Sequence, residues 1–212
     1  MTGPPRQVFD AAYYRRFYRE RPVHDRRTIA HLATGVMAFS AWWGISIRSV
    51  LDVGAGTGLW RAWFAAERPR VGYRSIDVSD YACRRYGHEQ ADISRWRPDT
   101  PSDLVVCQGV LQYLDDEACS RAVGNLAAAC SALLYLEVPT AGDLRDVIDT
   151  DATDLDIYWR TGAWYRRRLG RHFRAIGGGL FAARAAGLHF YELETAGLPH
   201  ATAAREASEK TR

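Results

Sequence analysis

The chain reads as an α/β domain built on a largely parallel sheet with crossover helices, and three observations lead there. From Ser49 onward, apolar runs of strand length alternate with helical patterns at short intervals, as in strand–helix–strand units. The first run, Ser49-Val-Leu-Asp-Val53, passes directly into the glycine-rich turn Gly54-Ala-Gly-Thr-Gly58. The second run ends in an acid, Asp77, 19 residues beyond Gly58. At 212 residues, 47% hydrophobic and 25% charged, the chain suits one domain with a sizeable core.

Residues 1–48 precede the sheet and are expected to form a helical N-terminal extension. Within it, Phe9, Tyr13 and Phe17, and Tyr14 and Tyr18, are aromatic at helical spacing. The stretch Ile29–Ile47 approaches the length of a membrane span, but His31, Thr34, Ser40 and Ser46 interrupt it. Ile29, Leu32, Val36, Met37 and Phe39 have the spacing of a core-packed helix instead. Ser49–Val53 is the first strand, and a helix from Gly58 presents Leu59, Trp60, Trp63 and Phe64. Gly72–Asp77 is the second strand, followed by a short helix capped by Ser79. Ala91-Asp92-Ile93 lies where a third strand should end. Asp103–Cys107 is apolar enough for a central strand buried on both faces. Asp115 and Asp116 open a helix reaching Cys130, where acids complement the helix dipole. Ala132–Glu137 is the next strand, ended by Pro139, and Thr161 caps a helix through Leu169. Phe173–Ile176 and His189–Leu193 read as the last two strands, with Gly177-Gly178-Gly179 as a bend or bulge between them. The composition turns small and polar near Leu198, so residues 49–197 form the domain and residues 198–212 a flexible tail.

The glycine turn and Asp77 suggest a nucleoside ligand. A turn without Cβ atoms lets a ligand approach backbone, and an acid at this distance is placed to take ribose hydroxyls. A dinucleotide site has G-x-G-x-x-G spacing and sets a pyrophosphate against the helix N-terminus. Here the spacing is Gly54-x-Gly56-x-Gly58, and Asp52 sits inside the motif. A carboxylate there repels a pyrophosphate and attracts the cationic amino-acid end of S-adenosylmethionine.

Asp52-x-Gly54-x-Gly56-x-Gly58 resembles the first motif of class I S-adenosylmethionine-dependent methyltransferases, most of all their small-molecule, type 11/25-like domains. The resemblance extends over about Ser49–Leu193 and implies a Rossmann-like seven-stranded sheet of order 3-2-1-4-5-7-6 with the seventh strand antiparallel. It implies S-adenosyl-L-methionine as cofactor and S-adenosyl-L-homocysteine as product. By position, Asp52, Gly54, Ala55, Gly56 and Gly58 are expected around the methionine end and Asp77 on the ribose. Val78, Asp92 and Ile93 are expected around the adenine, and Gln108, Gly109 and Val110 beneath the sulfonium. Leu111-Gln-Tyr-Leu114 matches the family's Leu-Glu-His-Leu-like stretch loosely, with Gln112 and Tyr113 replacing Glu and His. No catalytic residue is assigned.

Methyl transfer from a sulfonium is in-line displacement, so the protein chiefly supplies proximity and orientation. Tyr14 and Tyr18 are candidates for a lid over the donor, the alternative being a helix simply packed on the core. Tyr113, Glu137, Tyr158, Trp159 and Arg160 are candidates for the acceptor pocket, against ordinary core positions for the aromatics. Of the scattered histidines, His24 and His172 are the two considered as bases. The acids from Asp143 to Asp156 lack calcium-loop spacing and read as a solvated, mobile loop. No metal is expected. The Arg clusters at residues 15–21 and 166–174 read as solvated faces rather than a nucleic-acid track, and a net charge of +3 adds no argument for one. Four cysteines without C-x-x-C spacing suit free thiols, and the expected setting is cytoplasmic, with a small-molecule acceptor and no membrane partner. The rival readings are an RNA or protein methyltransferase of the same fold, a non-catalytic nucleoside-binding module, and a nicotinamide-dependent oxidoreductase.

Overall fold

The computed structural model describes residues 8–20 and 22–195, so the tail expected at 198–212 lies outside the described residues. The extension contains α1 (Ala11–Arg15), a π-helical turn (Arg16–Glu20) and α2 (Arg26–Trp42). Asp10 caps α1 by accepting from the Ala12 and Tyr13 N–H groups, and Asp25 and Thr28 form a reciprocal capping box on α2. The buried stripe of α2 is Ile29, Ala33, Val36 and Ser40, whereas Phe39 is exposed. No helix among the described residues is long and apolar enough to cross a membrane.

The domain then runs β1 (Ser49–Val53), α3 (Leu59–Glu67), β2 (Gly72–Asp77), α4 (Asp80–Tyr86), β3 (Glu89–Gln90), β4 (Ser102–Gln108), α5 (Asp116–Ala129), β5 (Cys130–Glu137), α6 (Gly162–Leu169), β6 (Phe173–Gly177) and β7 (Leu180–Ala183). The sheet order is β3-β2-β1-β4-β5-β7-β6. Strands β1 to β5 pair in parallel and β7 pairs antiparallel with both β5 and β6. Ser79, Asp115 and Thr161 cap α4, α5 and α6 through their side chains, as the sequence suggests.

Alternation along the central strands splits the core in two. Leu104 and Val106 of β4 join α2 and α3 through Ile29, Ala33, Trp60 and Phe64 on one face. Val105 and Cys107 join α5 and α6 through Cys119, Val123, Leu126 and Leu169 on the other. Burial on both faces is why this strand is apolar without interruption.

Two strand expectations are corrected. The third strand is only Glu89–Gln90, and just beyond it the Ala91 N–H still bonds the Asp77 carbonyl of β2 at 2.9 Å. The last strand is Leu180–Ala183, and His189–Leu193 is not a strand. Gly177, Gly178 and Gly179 have φ of 116°, 57° and 78° and make a hairpin turn. The turn packs against β5: a Cβ on Gly179 would lie 2.9 Å from the Tyr135 ring and 3.0 Å from the Leu136 carbonyl oxygen.

Candidate active site

The site opens at the carboxyl ends of β1, β4 and β5, where the sheet order reverses. In the β1–α3 turn, Gly54 has φ of 69°, and a Cβ there would overlap Cγ2 of Val110. Asp52 is 2% exposed, and its carboxylate accepts from the Tyr73 hydroxyl at 2.6 Å. Burial pushes the Asp52 carboxyl up to about 7; the Tyr73 bond opposes this and the neighbouring Asp77 charge adds to it.

Asp77, also buried, accepts from the Gly56 N–H at 2.9 Å and the Ser79 N–H at 2.8 Å, tying the glycine turn to the start of α4. Burial raises its pKa against those two bonds. His88 supports the turn from behind, a role the sequence reading missed. Its Nε2 donates to the Gly56 carbonyl at 3.0 Å, so its Nδ1 accepts from the Ser75 hydroxyl at 2.8 Å. Burial lowers the His88 pKa, which suits this neutral form.

The N-terminal segment roofs the turn. Tyr14 is buried, with ring centroids 4.9 Å from Tyr18 and 5.4 Å from Tyr81. The Tyr18 ring covers Gly56, 3.3 Å from where a Cβ would stand. The segment is fastened through Phe9 and Tyr13: Ser79 Oγ donates to the Phe9 carbonyl at 2.5 Å, and the hydroxyls of Tyr13 and Tyr113 lie 2.8 Å apart.

The opposite wall is a chain of polar groups. Trp60 Nε1 donates to Gln108 Oε1 at 2.9 Å, and Gln108 Nε2 donates to Glu137 Oε2 at 3.1 Å. Tyr135 donates its hydroxyl to the same oxygen at 3.2 Å, and His24 Nε2 meets Glu137 Oε1 at 2.7 Å. Burial raises the Glu137 carboxyl, but the bonds from His24, Gln108 and Tyr135 outweigh it and hold the pKa below the ordinary glutamate value. The bond to Glu137 raises the His24 pKa more than burial lowers it. Gln112, 5% exposed at the base of this wall, has a buried Oε1 without a hydrogen-bond partner among the described residues. Such an orphan costs about 1–3 kcal/mol unless a ligand or water supplies a donor.

One cavity of about 720 Å³ joins the glycine turn to this wall. Of the candidate residues, Tyr18, Asp52, Gly54, Ala55, Gly56, Gln108, Gly109, Tyr113 and Glu137 line it. Gly58 and Asp77 stand behind the turn, Tyr14 behind Tyr18, and Val110 beneath Gly54. Val78 is 51% exposed, Ile93 is 3% exposed in the core, and the Asp92 carboxylate accepts from the Ser94 N–H. None of these three lines the cavity.

The residues after β5 require correction. Tyr158, Trp159 and Arg160 are not in the cavity wall. The Tyr158 N–H bonds the Gln112 carbonyl, and the Trp159 indole donates to Leu155. Arg160, 6% exposed, donates to Asp116 at 2.9 Å and to the Leu114 carbonyl at 2.6 Å, and its guanidinium lies 4.5 Å from the Trp164 ring centroid. The acidic loop takes their place, because Asp143, Asp149 and Asp154 line the cavity with Val147 and Ile148. The loop folds inward on local bonds such as Thr140 N–H to Asp143 at 2.8 Å, which charge counting along the sequence does not reveal. Among the described residues no group of acids, histidines and cysteines could hold a metal ion.

This geometry fits a sulfonium-bearing nucleoside: a backbone cradle that a Cβ would fill, a buried acid at its inner end, and a second acid at the end of β2. Sheet and site together define the class I methyltransferase architecture. A profile of the methyltransferase domain family matches residues 14–190. The chain belongs to that family and is an S-adenosylmethionine-dependent methyltransferase. No curated protein matches it in sequence. Among solved structures it is similar to the N-methyltransferase NodS of Bradyrhizobium japonicum WM9 in complex with S-adenosyl-L-homocysteine, with TM-score 0.56 and 16% identity over 81% of this chain and 96% of that one. It is similar also to the magnesium protoporphyrin IX methyltransferase of Synechocystis PCC 6803 with the same ligand bound, with TM-score 0.53 and 17% identity over 84% and 96%. A third similar structure is DesVI of Streptomyces venezuelae, with TM-score 0.54 and 16% identity over 73% and 90%.

Proposed function

We propose that the protein transfers a methyl group to an O or N atom of a small-molecule acceptor held in the roofed cavity. The observation that carries this reading is the continuity of one cavity from the glycine turn to the His24–Glu137 pair, under Tyr13, Phe17 and Tyr18. A space of that size beneath a helical roof suits a compact acceptor better than a folded macromolecule. Asp52 would hold the amino end of the donor, Gly54 to Gly58 its backbone cradle, Asp77 its ribose side, and Gln108 and Gly109 the floor. Bound S-adenosylmethionine supplies a methyl group already activated on a sulfonium. The chain's own contribution is to place the acceptor in line and to exclude water, with residues 8–20 acting as the lid. The unpaired cysteines are in keeping with a reducing, cytoplasmic setting.

Calorimetric titration with S-adenosylmethionine, S-adenosylhomocysteine and NAD tests the donor assignment. The two adenosyl ligands are expected to bind at micromolar concentration and NAD not at all. Asp77→Asn keeps one carbonyl acceptor for the backbone while removing the charge, and is expected to weaken both adenosyl ligands at least tenfold. Binding of NAD alone would overturn the reading.

A further inference from the structure

We propose that the methyl acceptor is a small amine, taken up as its cation at the acid-walled end of the cavity, and that the His24–Glu137 pair removes its proton before transfer. The proposal deepens the function proposed above and rests on it. Glu137, Asp143 and Asp149 face this end, and no Lys or Arg lines it among the described residues. Asp143 and Asp149 bond backbone N–H groups of Thr140 and Asp151, and no described cation is paired with either. Asp143 and Asp149, in a partly enclosed space with no described cation beside them, add to a negative potential that a cation relieves and an anion worsens. The cavity lining is also aromatic, through Tyr13 and Phe17 of the roof and Tyr113 after β4, and such rings attract a cation over their faces. An ammonium offers three N–H donors to these carboxylates, whereas a carboxylate ligand offers none.

An ammonium has no lone pair, so it cannot attack until a proton leaves. His24 Nε2 is held by Glu137 Oε1 at 2.7 Å, while Nδ1 has no hydrogen-bond partner among the described residues. The Glu137 carboxylate is fixed by Gln108 and Tyr135, so it can set the ring's tautomer and stabilise the imidazolium that forms. In the step, an N–H bond of the acceptor breaks and its proton passes to His24 Nδ1. The freed pair on nitrogen then forms the new N–C bond as the methyl–sulfur bond breaks, that bond's electrons remaining on sulfur. The titratable groups around His24 are Asp25 on its own segment, Glu137 and Tyr135 on β5, Tyr13 and Tyr113 on the roof, and Asp143, Asp149 and Asp154 on the loop.

The test begins with protein saturated with S-adenosylhomocysteine, titrated calorimetrically with matched probes: phenethylamine against 2-phenylethanol, cyclohexylmethylamine against cyclohexylmethanol, and phenylacetate. Each amine is expected to bind at least tenfold tighter than its alcohol, with phenylacetate not binding. Asp149→Asn, whose amide oxygen can still accept from the Asp151 N–H, is expected to shrink that preference. With S-adenosylmethionine, mass spectrometry is expected to show N-methylated phenethylamine. His24→Asn is expected to lower kcat about 100-fold at neutral pH with little change in KM, the loss diminishing at alkaline pH as free amine accumulates. Alcohols binding as well as amines, or no amine binding to the loaded protein, overturns the proposal. Failure of S-adenosylhomocysteine itself to bind overturns the donor assignment instead.

Discussion

Asp52 is buried beneath the glycine turn at the expense of stability. Its carboxyl is lifted to about 7 in the folded protein, from an ordinary value of 3.8, chiefly because it is buried. The native state therefore holds this proton more tightly than the unfolded chain does. The associated stability is fully present below the unfolded pKa and is lost as pH rises through the folded one. Urea denaturation from pH 4 to 8 should show wild type losing stability relative to Asp52→Asn across that window. A cationic amino group beside Asp52 favours the ionised form, so S-adenosylmethionine binding near pH 6 should release a proton. Calorimetry in buffers of different ionisation enthalpy reads that proton, and Asp52→Asn should abolish the dependence. At this scale the sequence was informative, since Asp52, Gly54, Gly56 and Asp77 follow from one motif and one spacing. His88 was illegible, because its bonds to Ser75 and Gly56 come from a helix–strand connection packing under a turn more than thirty residues earlier.

Among the elements, the caps were readable because capping is local: Ser79, Asp115 and Thr161 each satisfy an N–H group three residues ahead. The last strand was not, because Leu180–Ala183 is selected by pairing with β5, some 45 residues upstream, rather than by its own pattern. Arg160 is a similar case. Its place after β5 suggested the acceptor pocket, yet it fastens the loop to the N-terminus of α5 through Asp116 and the Leu111 and Leu114 carbonyls. Arg160→Ala should cost about 3 kcal/mol of unfolding free energy, because charge-assisted bonds to buried carbonyls are lost together. Chemical denaturation measures that cost, and donor affinity of the folded variant should be unchanged. A variant of normal stability with weakened acceptor binding would contradict this assignment.

The cavity belongs to the molecule as a whole. Its walls come from the N-terminal extension, the β1–α3 turn, the ends of β4 and β5 and the acidic loop. Its described charges are mainly acidic, while the arginines of α6 lie outside its wall. Turnover of the amine acceptor should therefore change only severalfold between 50 and 200 mM salt. A nucleic-acid substrate making 6–10 phosphate contacts would lose about 10³–10⁵ in affinity over the same range. Steady-state kinetics at the two salt concentrations separates these outcomes.

The sequence by itself determined the fold class, the strand order through family resemblance, and the donor-side motif. These rest on short-range facts: strand periodicity, glycines where backbone must approach closely, and an acid at a set distance along a βαβ unit. Only the tertiary structure decided which residues line the cavity beyond the glycine turn. It withdrew Arg160, Tyr158 and Trp159, brought in Asp143 and Asp149, and paired His24 with Glu137 across more than a hundred residues. The physical reason is that this part of the cavity is assembled from loops and an extension whose positions are set by packing and distant hydrogen bonds, neither of which leaves a periodic trace in the chain.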